Sequence, residues 1–235
     1  MDIKNINDQT IVGLTVEEVK KICRGHGDND RADQLLCAIE EELEQGFKFA
    51  KDHPENVTVF GSARTKPEDI YYQLAVDLGK KIVTDLKLSV ITGGGPGIME
   101  AANRGAKEAG GPSLGMAITL PVEQGVNQYV EKAMYFRFFF TRKVIMSYPA
   151  KAFVAFPGGF GTLNEFFEIL TLVQTKKILP VPIILFGVEF WQPLQNYIEQ
   201  YLEERGLIDN IDAHILYLIT DSTDEVISTI KNFYN

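Results

Sequence analysis

The sequence predicts an α/β fold: a doubly wound, mostly parallel sheet flanked by helices, with a helical extension at the N-terminus. Three observations predict it. From residue 57 onward, short apolar runs alternate with amphipathic, helix-like stretches. The runs are continuously apolar, which indicates strands covered by helices on both faces, and such alternation of strands and helices is typical of parallel sheets. Before residue 52 the composition is different and favours helices only.

Each element has its own signal in the sequence. Apolar runs predict strands at 57–61, 88–92, 113–118, 152–156, 182–186 and 215–219. Amphipathic stretches predict helices at about 68–86, 96–109, 138–149, 162–177, 190–205 and 222–234. Because each predicted helix follows a predicted strand, the region is expected to fold as one α/β domain.

The N-terminal region carries two further helix signals. Thr15 and Glu18 form a capping-box pattern, and Gly25 is a plausible end for the helix that follows it. A second helix is predicted at about 31–50, where apolar residues recur every three or four positions. We therefore divide the chain into a helical extension, 1–52, and a Rossmann-like α/β domain, 53–235.

Composition narrows the class of protein. With 23 basic and 32 acidic residues among 235, the formal net charge is −9, which is poorly suited to non-specific binding of nucleic acid or anionic membranes. A small anionic ligand is still compatible with a local cluster of amides and cations. No apolar run approaches the roughly 18 residues that a membrane span needs, and no leader pattern opens the chain, so we expect a cytoplasmic protein.

Cysteines and histidines add little chemistry. Cys23 and Cys37 make no disulfide framework and are expected to be ordinary intracellular thiols. The three histidines, His26, His53 and His214, are scattered without the spacing of metal ligands. We therefore expect neither a metal site nor a cofactor.

Ligands of doubly wound sheets bind at the carboxyl ends of the strands, so candidate binding residues are expected directly after each strand. After the first strand come Gly61, Ser62 and Arg64, which offer a tight exit, a hydroxyl and a cation. An ordinary loop with an exposed arginine is an equally good interpretation of this segment.

The second strand ends in a glycine-rich turn, Thr92–Gly97, that leads into a helix. Such a turn lets an anion approach the backbone, and the helix N-terminus favours negative charge. Neither common nucleotide pattern fits, since counting a dinucleotide fingerprint puts Ile98 or Glu100 where glycine must stand, and no P-loop occurs. The turn alone is a weak signal of phosphate binding.

A similar strand–turn–helix plan recurs at Pro157–Thr162, where Thr162 can cap the helix or bind a phosphate oxygen. The two turns are expected to face each other across a crevice. Glu165 lies on the same side of the helix as Thr162, one turn further along. Its carboxylate either interacts with the helix dipole or serves in catalysis.

An aromatic and basic segment, residues 135–143, contains Arg137, Arg142 and Lys143 among five aromatic side chains. The aromatic residues suit core packing and the cations suit the surface. Together they also suit a ligand with a flat ring and a phosphate.

At this point the sequence resembles the Lonely Guy (LOG) family, whose members were long labelled lysine decarboxylases. Residues 157–165, PGGFGTLNE, match the family motif PGGxGTxxE at every fixed position. Gly93–Gly95, Gly97–Met99 and Arg142–Lys143 support the match, which spans about 57–220. The FGSAR stretch and the N-terminal extension are similar to the longer bacterial subclass.

The resemblance implies a phosphoribohydrolase, which cleaves the N-glycosidic bond of a nucleoside 5′-monophosphate such as AMP or a cytokinin riboside monophosphate. By matched position, Glu165 and Arg142 are the catalytic pair. The substrate-binding residues that it implies are Gly94, Gly95, Gly158, Gly159, Gly161, Thr162, Lys143, Glu123 and Thr171. Phe160 within the motif, and Ser62 and Arg64 after the first strand, complete the candidate binding residues. The resemblance also implies a homo-oligomer.

Other functions of the same fold fit the sequence to different degrees. A pyridoxal-phosphate decarboxylase needs a cofactor-holding lysine, and nothing around Lys143 beyond the aromatics indicates one. A dinucleotide oxidoreductase is disfavoured by the failed glycine count. The stronger alternative is a protein of the same superfamily that binds a nucleotide-derived ligand without catalysis, because phosphate binding requires only the glycine turns.

Overall fold

The computed structural model describes residues 10–11, 14–15, 31–119, 125–148, 150–209 and 216–235. Near the N-terminus, β1 (Thr10–Ile11) and β2 (Leu14–Thr15) pair as an antiparallel hairpin. The helix predicted between Thr15 and Gly25 falls on residues 16–30 and lies outside the described residues.

The remaining elements alternate along the chain. The strands are β3 (Asn56–Phe60), β4 (Ser89–Thr92), β5 (Ser113–Ile118), β6 (Lys132–Phe136), β7 (Ala150–Ala155), β8 (Ile183–Phe186) and β9 (Leu218–Thr220). The helices are α1 (Arg31–Lys51), α2 (Ile70–Lys81), α3 (Ile98–Glu108), α4 (Phe139–Ser147), α5 (Phe160–Gln174), α6 (Val188–Ile198) and α7 (Thr223–Tyr234). Short π-helical turns, Ile82–Leu86 and Glu199–Glu203, continue α2 and α6.

In the described ranges, β3 to β9 form one sheet in the order β6-β5-β4-β3-β7-β8-β9, and every neighbouring pair is parallel. The chain therefore starts in the middle of the sheet, builds outward to β6, and returns to place β7 beside β3. This reversal creates a switch point between β3 and β7, where α/β sheets bind their ligands. The predicted doubly wound α/β fold is confirmed.

Both faces of the sheet are buried, as the continuous apolar runs predict. In β7, Val154 belongs to one apolar cluster, which includes α2, α3 and α7. The adjacent Phe153 belongs to the other cluster, which includes residues of α4, α5 and α6. Neighbouring residues of a strand point to opposite faces, so one strand contributes to both cores.

Three details differ from the sequence prediction. The segments β1 and β2 pair as strands in a region where the sequence predicts helices only, and Thr15, the predicted N-cap, is a residue of β2. Strand β6 was not predicted, because its residues alternate between exposed and buried at the edge of the sheet and form no continuous apolar run. Helix α5 begins at Phe160 and its N-cap is Gly159. Thr162 is therefore a residue of the first helical turn, and the expectation that its side chain caps the helix is wrong.

None of the helices in the described ranges combines the length and the hydropathy that crossing a membrane requires.

Candidate active site

The loops at the carboxyl edge of the sheet are joined to one another by backbone hydrogen bonds. The Ser62 N–H, in the loop after β3, donates to the Pro157 carbonyl in the loop after β7, at 3.0 Å. The Ser62 carbonyl accepts from the Ile98 N–H, at the start of α3, also at 3.0 Å. One peptide segment therefore ties together the loop after β7 and the N-terminus of α3.

A cavity of about 780 Å³ opens above this junction, within the size range of small-molecule sites. Its lining residues come from four segments that are far apart in the sequence. They are Gly61, Ser62, Ala63, Arg64, Met99, Arg142, Gly158, Gly159, Phe160, Gly161, Thr162, Leu163 and Glu165.

Most of the residues that the sequence nominates meet in this cavity. Both members of the nominated pair, Glu165 and Arg142, line it. The segment 158–162 forms one wall, and Ser62 and Arg64 lie on the opposite loop. Phe160 is 93 % exposed at this wall, so its ring is available to a ligand or a partner.

Four nominated residues do not line the cavity, and a fifth is not described. Lys143 lies beside it, Thr171 is exposed further along α5, and Glu123 falls outside the described residues. Gly94 and Gly95 form hydrogen bonds with other residues and do not line the cavity. The Gly94 N–H donates to Thr92 Oγ1 at 2.9 Å.

The glycine turn after β4 is held from behind by an asparagine. Asn127 Nδ2 donates to the carbonyls of Gly94 (3.1 Å) and Gly95 (3.0 Å). On the other side, a Cβ placed on Gly95 would lie 2.7 Å from Met99 Cε. Met99 thus covers the turn and contributes the cavity surface in its place.

The wall formed by the start of α5 is suited to an anion. Among the described residues no side chain caps the Gly159 end of this helix, so the N–H groups of its first turn remain for a ligand. The Thr162 hydroxyl folds back beneath Gly158, where an added Cβ would come within 2.2 Å of Oγ1. A side chain at 158 would therefore collide with Thr162 unless the threonine side chain moved.

Arg142 of α4 and Glu165 of α5 form an ion pair inside the cavity, with Arg142 Nη2 donating to Glu165 Oε1 at 2.7 Å. Their side chains are only 10 % and 13 % exposed. Burial raises the pKa of Glu165 to about 7, although the charges of Arg142 and Lys143 lower it and that of Glu168 raises it. Burial lowers the pKa of Arg142, and Glu165 opposes that shift.

Arg142 has a further donor to offer. Its Nε is buried and has no hydrogen-bond partner in the described part of the chain, and a buried donor without an acceptor is costly. The guanidinium also lies 5.5 Å from the centre of the Phe139 ring. A ligand oxygen in the cavity would satisfy the Nε–H, so the arginine is expected to contact substrate as well as Glu165.

A second link joins the same two helices. Lys143 Nζ donates to Asn164 Oδ1 at 3.1 Å and pairs with Glu168. Lys143 and Glu168 line a smaller cavity that Glu165 also lines. The carboxylate of Glu165 is thus surrounded by two cations of α4 and one acidic neighbour of α5.

Four residues that line the cavity were not among the candidates from the sequence. They are Gly61, Ala63, Met99 and Leu163. Of these four, Met99 could have been found from the sequence, because it is an apolar residue in the first turn of the helix that follows the glycine turn. No cluster of three or more potential metal ligands occurs among the described residues.

Comparison with known proteins places the chain in a family. A family model described as "Possible lysine decarboxylase" matches residues 99–230, more than half of the chain. A cytokinin riboside 5′-monophosphate phosphoribohydrolase of Rhodococcoides fascians is 33 % identical over 64 % of this chain and 77 % of its own length. The chain belongs to the LOG family. The resemblance found in the motif at 157–165 is thereby confirmed.

Two further comparisons agree with this LOG assignment. A probable cytokinin riboside 5′-monophosphate phosphoribohydrolase of Oryza sativa subsp. japonica is 28 % identical, over 80 % of this chain and 81 % of its own. The solved structure of a molybdenum cofactor binding protein from Rippkaea orientalis superposes with a TM-score of 0.56 at 22 % identity, covering 78 % of this chain and 98 % of that one. At such low identity the superposition shows the fold alone.

Proposed function

We propose that the protein hydrolyses the N-glycosidic bond of nucleoside 5′-monophosphates, releasing the free base and ribose 5-phosphate. The observation that carries the proposal is the buried Arg142–Glu165 pair, in the same cavity as an uncapped, glycine-rich helix N-terminus. The names of the related proteins from Rhodococcoides and rice support the same activity. AMP and N6-prenylated riboside monophosphates are the substrates to test first.

The cavity offers separate places for the two ends of such a ligand. The 5′-phosphate binds at the start of α5, where backbone N–H groups and the helix dipole favour an anion. Arg64, on the opposite loop, adds a cation at the rim. With the phosphate held there, the ribose extends toward Glu165, which follows Thr162 by one turn of the helix.

Cleavage of the N-glycosidic bond then depends on stabilising the positive charge that develops on the ribose. The bond from the base nitrogen to C1′ breaks with its electron pair moving to the base, and a water oxygen bonds to C1′ as that water loses a proton to solvent. Positive charge develops on the ribose, which an ionised Glu165 stabilises. Arg142 keeps that carboxylate oriented and remains protonated throughout. The departing base is protonated by solvent or a neighbouring group.

Incubating the protein with AMP and measuring free adenine and ribose 5-phosphate by chromatography tests the proposal. A panel of purine, pyrimidine and N6-prenylated monophosphates, with the corresponding nucleosides as controls lacking phosphate, identifies the substrate class. If no monophosphate releases its base at high protein concentration, the hydrolase proposal is wrong.

We expect the rate to depend on the ionisation of Glu165. Because the pKa of this carboxyl is raised to about 7, the ionised fraction and hence kcat/KM should rise about tenfold between pH 6 and pH 8. In Glu168→Gln, loss of the acidic neighbour that raises this pKa should move the rise to lower pH. The substrate phosphate titrates identically in both proteins, so the difference reports on Glu165. A rate that falls as pH rises would mean that the protonated carboxyl is the active form.

A non-catalytic ligand-binding protein is the second candidate. One solved structure with the same fold is that of a molybdenum cofactor binding protein. Binding of an anion requires the α5 turn but not a carboxylate held next to the reacting sugar, and for this reason the Arg142–Glu165 pair favours the hydrolase.

The description of the family model suggests a decarboxylase, which would use pyridoxal phosphate. Such an enzyme needs a lysine amine that projects into the ligand cavity. None of the described residues lining this cavity is a lysine, and the amine of the neighbouring Lys143 is directed to Asn164 and Glu168. The residues do not fit this cofactor.

We further propose that the protein acts in the cytoplasm as a homo-oligomer. Phe140 and Val144 of α4, four residues apart, and Phe160 and Phe167 of α5, seven apart, are all exposed. The contact of Lys143 with Asn164 shows that these helices are neighbours. Light scattering should give a mass of at least twice 26.3 kDa, and Phe140→Asp with Val144→Asp should reduce it; a monomeric wild-type protein would contradict this proposal.

A further inference from the structure

Helix α1, from the N-terminal extension, lies along α4, the helix that carries Arg142. Their contacts occur at regular intervals. Ala38 packs with Phe138, and Gly46 lies so close to Ile145 that a Cβ on the glycine would be 2.5 Å from Cγ1. Because residues 38, 42 and 46 are four apart, they share one face of α1. The middle position of that face is Glu42.

Glu42 is a buried carboxyl, only 3 % exposed, and it binds the N-terminal end of α4. It accepts hydrogen bonds from the N–H groups of Arg137 (2.6 Å) and Phe138 (3.3 Å), and from the hydroxyl of Thr141. In the described structure the N-cap residue of α4, Phe138, makes no side-chain cap of its own. A helix that is separate in sequence therefore supplies the cap.

The capped turn is the one from which Arg142 projects. The Arg142 N–H donates to the Phe138 carbonyl at 3.2 Å, and Thr141, bound to Glu42, is the preceding residue. The position of the guanidinium relative to Glu165 depends on where this turn sits, and small displacements of a reacting group are costly.

We propose that Glu42 is a positioning residue, which fixes the first turn of α4 and thereby holds Arg142 against Glu165. The proposal rests on the function proposed above, and it gives the N-terminal extension a role in the active site. Glu42 itself does not contact the cavity, so it acts through Arg142.

The test compares Glu42→Gln and Glu42→Ala with Glu44→Gln, which removes the same charge from an exposed position of the same helix. In the Glu42 variants kcat for AMP should fall about 10- to 100-fold, with a smaller change in KM. Glu44→Gln should retain the wild-type values. Amide hydrogen exchange at Arg137 and Phe138 should accelerate only in the Glu42 variants, which verifies loss of the cap.

The titration of Glu165, followed by its ¹³C carboxyl resonance, separates positioning from simple stability. Arg142 and Lys143 of α4 face this carboxyl together with Glu168 of α5, and Arg64 lines the same cavity. If Glu42 holds Arg142 in place, its loss weakens the charge that lowers the pKa of Glu165, so this pKa should rise. Glu42→Gln keeps the shape of the side chain if Glu42→Ala does not fold.

The two proposals fail in different ways. A wild-type protein that releases no base would contradict the proposed hydrolase activity. In that case a raised pKa of Glu165 in the Glu42 variants would still support the proposal that Glu42 positions Arg142. An unchanged pKa of Glu165 in Glu42→Gln and Glu42→Ala, with amide exchange accelerated, would overturn the positioning role and leave Glu42 a structural cap.

Discussion

Glu165→Gln is expected to lower the rate of adenine release from AMP by about 10²- to 10⁴-fold. Glutamine keeps the shape of the side chain, and its amide oxygen still accepts from Arg142 Nη2. It removes the negative charge that, in the proposed mechanism, stabilises the positive charge developing on the ribose. The affinity for AMP should change little, because the proposed phosphate site is the start of α5, away from this carboxyl. Stopped-time chromatography gives the rate, and calorimetry with the variant gives the affinity.

The exposed Glu44→Gln serves as the control for the loss of one acidic group. It should retain the wild-type rate, since Glu44 lies outside the cavity. A Glu165→Gln protein that releases adenine at the wild-type rate would remove Glu165 from catalysis, and one that no longer binds AMP would place the carboxyl in ligand binding.

Gly97→Ala is expected to be the most disruptive single substitution for the loops of the site. Gly97 has φ +71°, and an added Cβ would lie 2.3 Å from the Ser62 carbonyl oxygen. The backbone strain costs about 1–3 kcal/mol, and the collision forces Ser62 or the start of α3 to move. We expect the free energy of unfolding to fall by at least about 3 kcal/mol and AMP binding to weaken, as measured by denaturant titration and calorimetry.

Gly110→Ala is the matched control for backbone strain. Gly110 has φ +75° but nothing within 4 Å of the added Cβ, so only the positive-φ penalty, about 1–2 kcal/mol, should appear. AMP binding should not change. Equal losses of stability in the two variants would show that the contact with Ser62 contributes nothing beyond the strain of the glycine itself.

Much of the fold is predictable from local pattern. Strands buried on both faces appear as apolar runs, and β3, β4, β5, β7 and β8 are found close to their predicted places. Strand β6 lies at the edge of the sheet, where Lys132 and Tyr135 face solvent, so its partial burial gives no continuous run. The start of α5 was misplaced because glycines usually indicate a turn, whereas here Gly161 is helical.

The candidate site was predictable to the extent that it lies in one motif. The motif at 157–165 contains Glu165 and the glycine turn at the start of α5, and both are in the cavity. The orientation of the Gly94–Gly95 turn depends on Asn127, about thirty residues away. The capping of α4 by Glu42 spans 95 residues, and contacts at such separations leave no signature in a single sequence.

The hydrogen bonds of Ser62 have a consequence for ligand selection. Because the Ser62 N–H and carbonyl are bound to Pro157 and to Ile98, the width of the cleft is set by main-chain geometry rather than by side-chain rotamers. The entropy of ordering these loops is lost when the chain folds, and a ligand does not lose it again on binding. The proposed phosphate end of the site is therefore preorganised before any ligand binds.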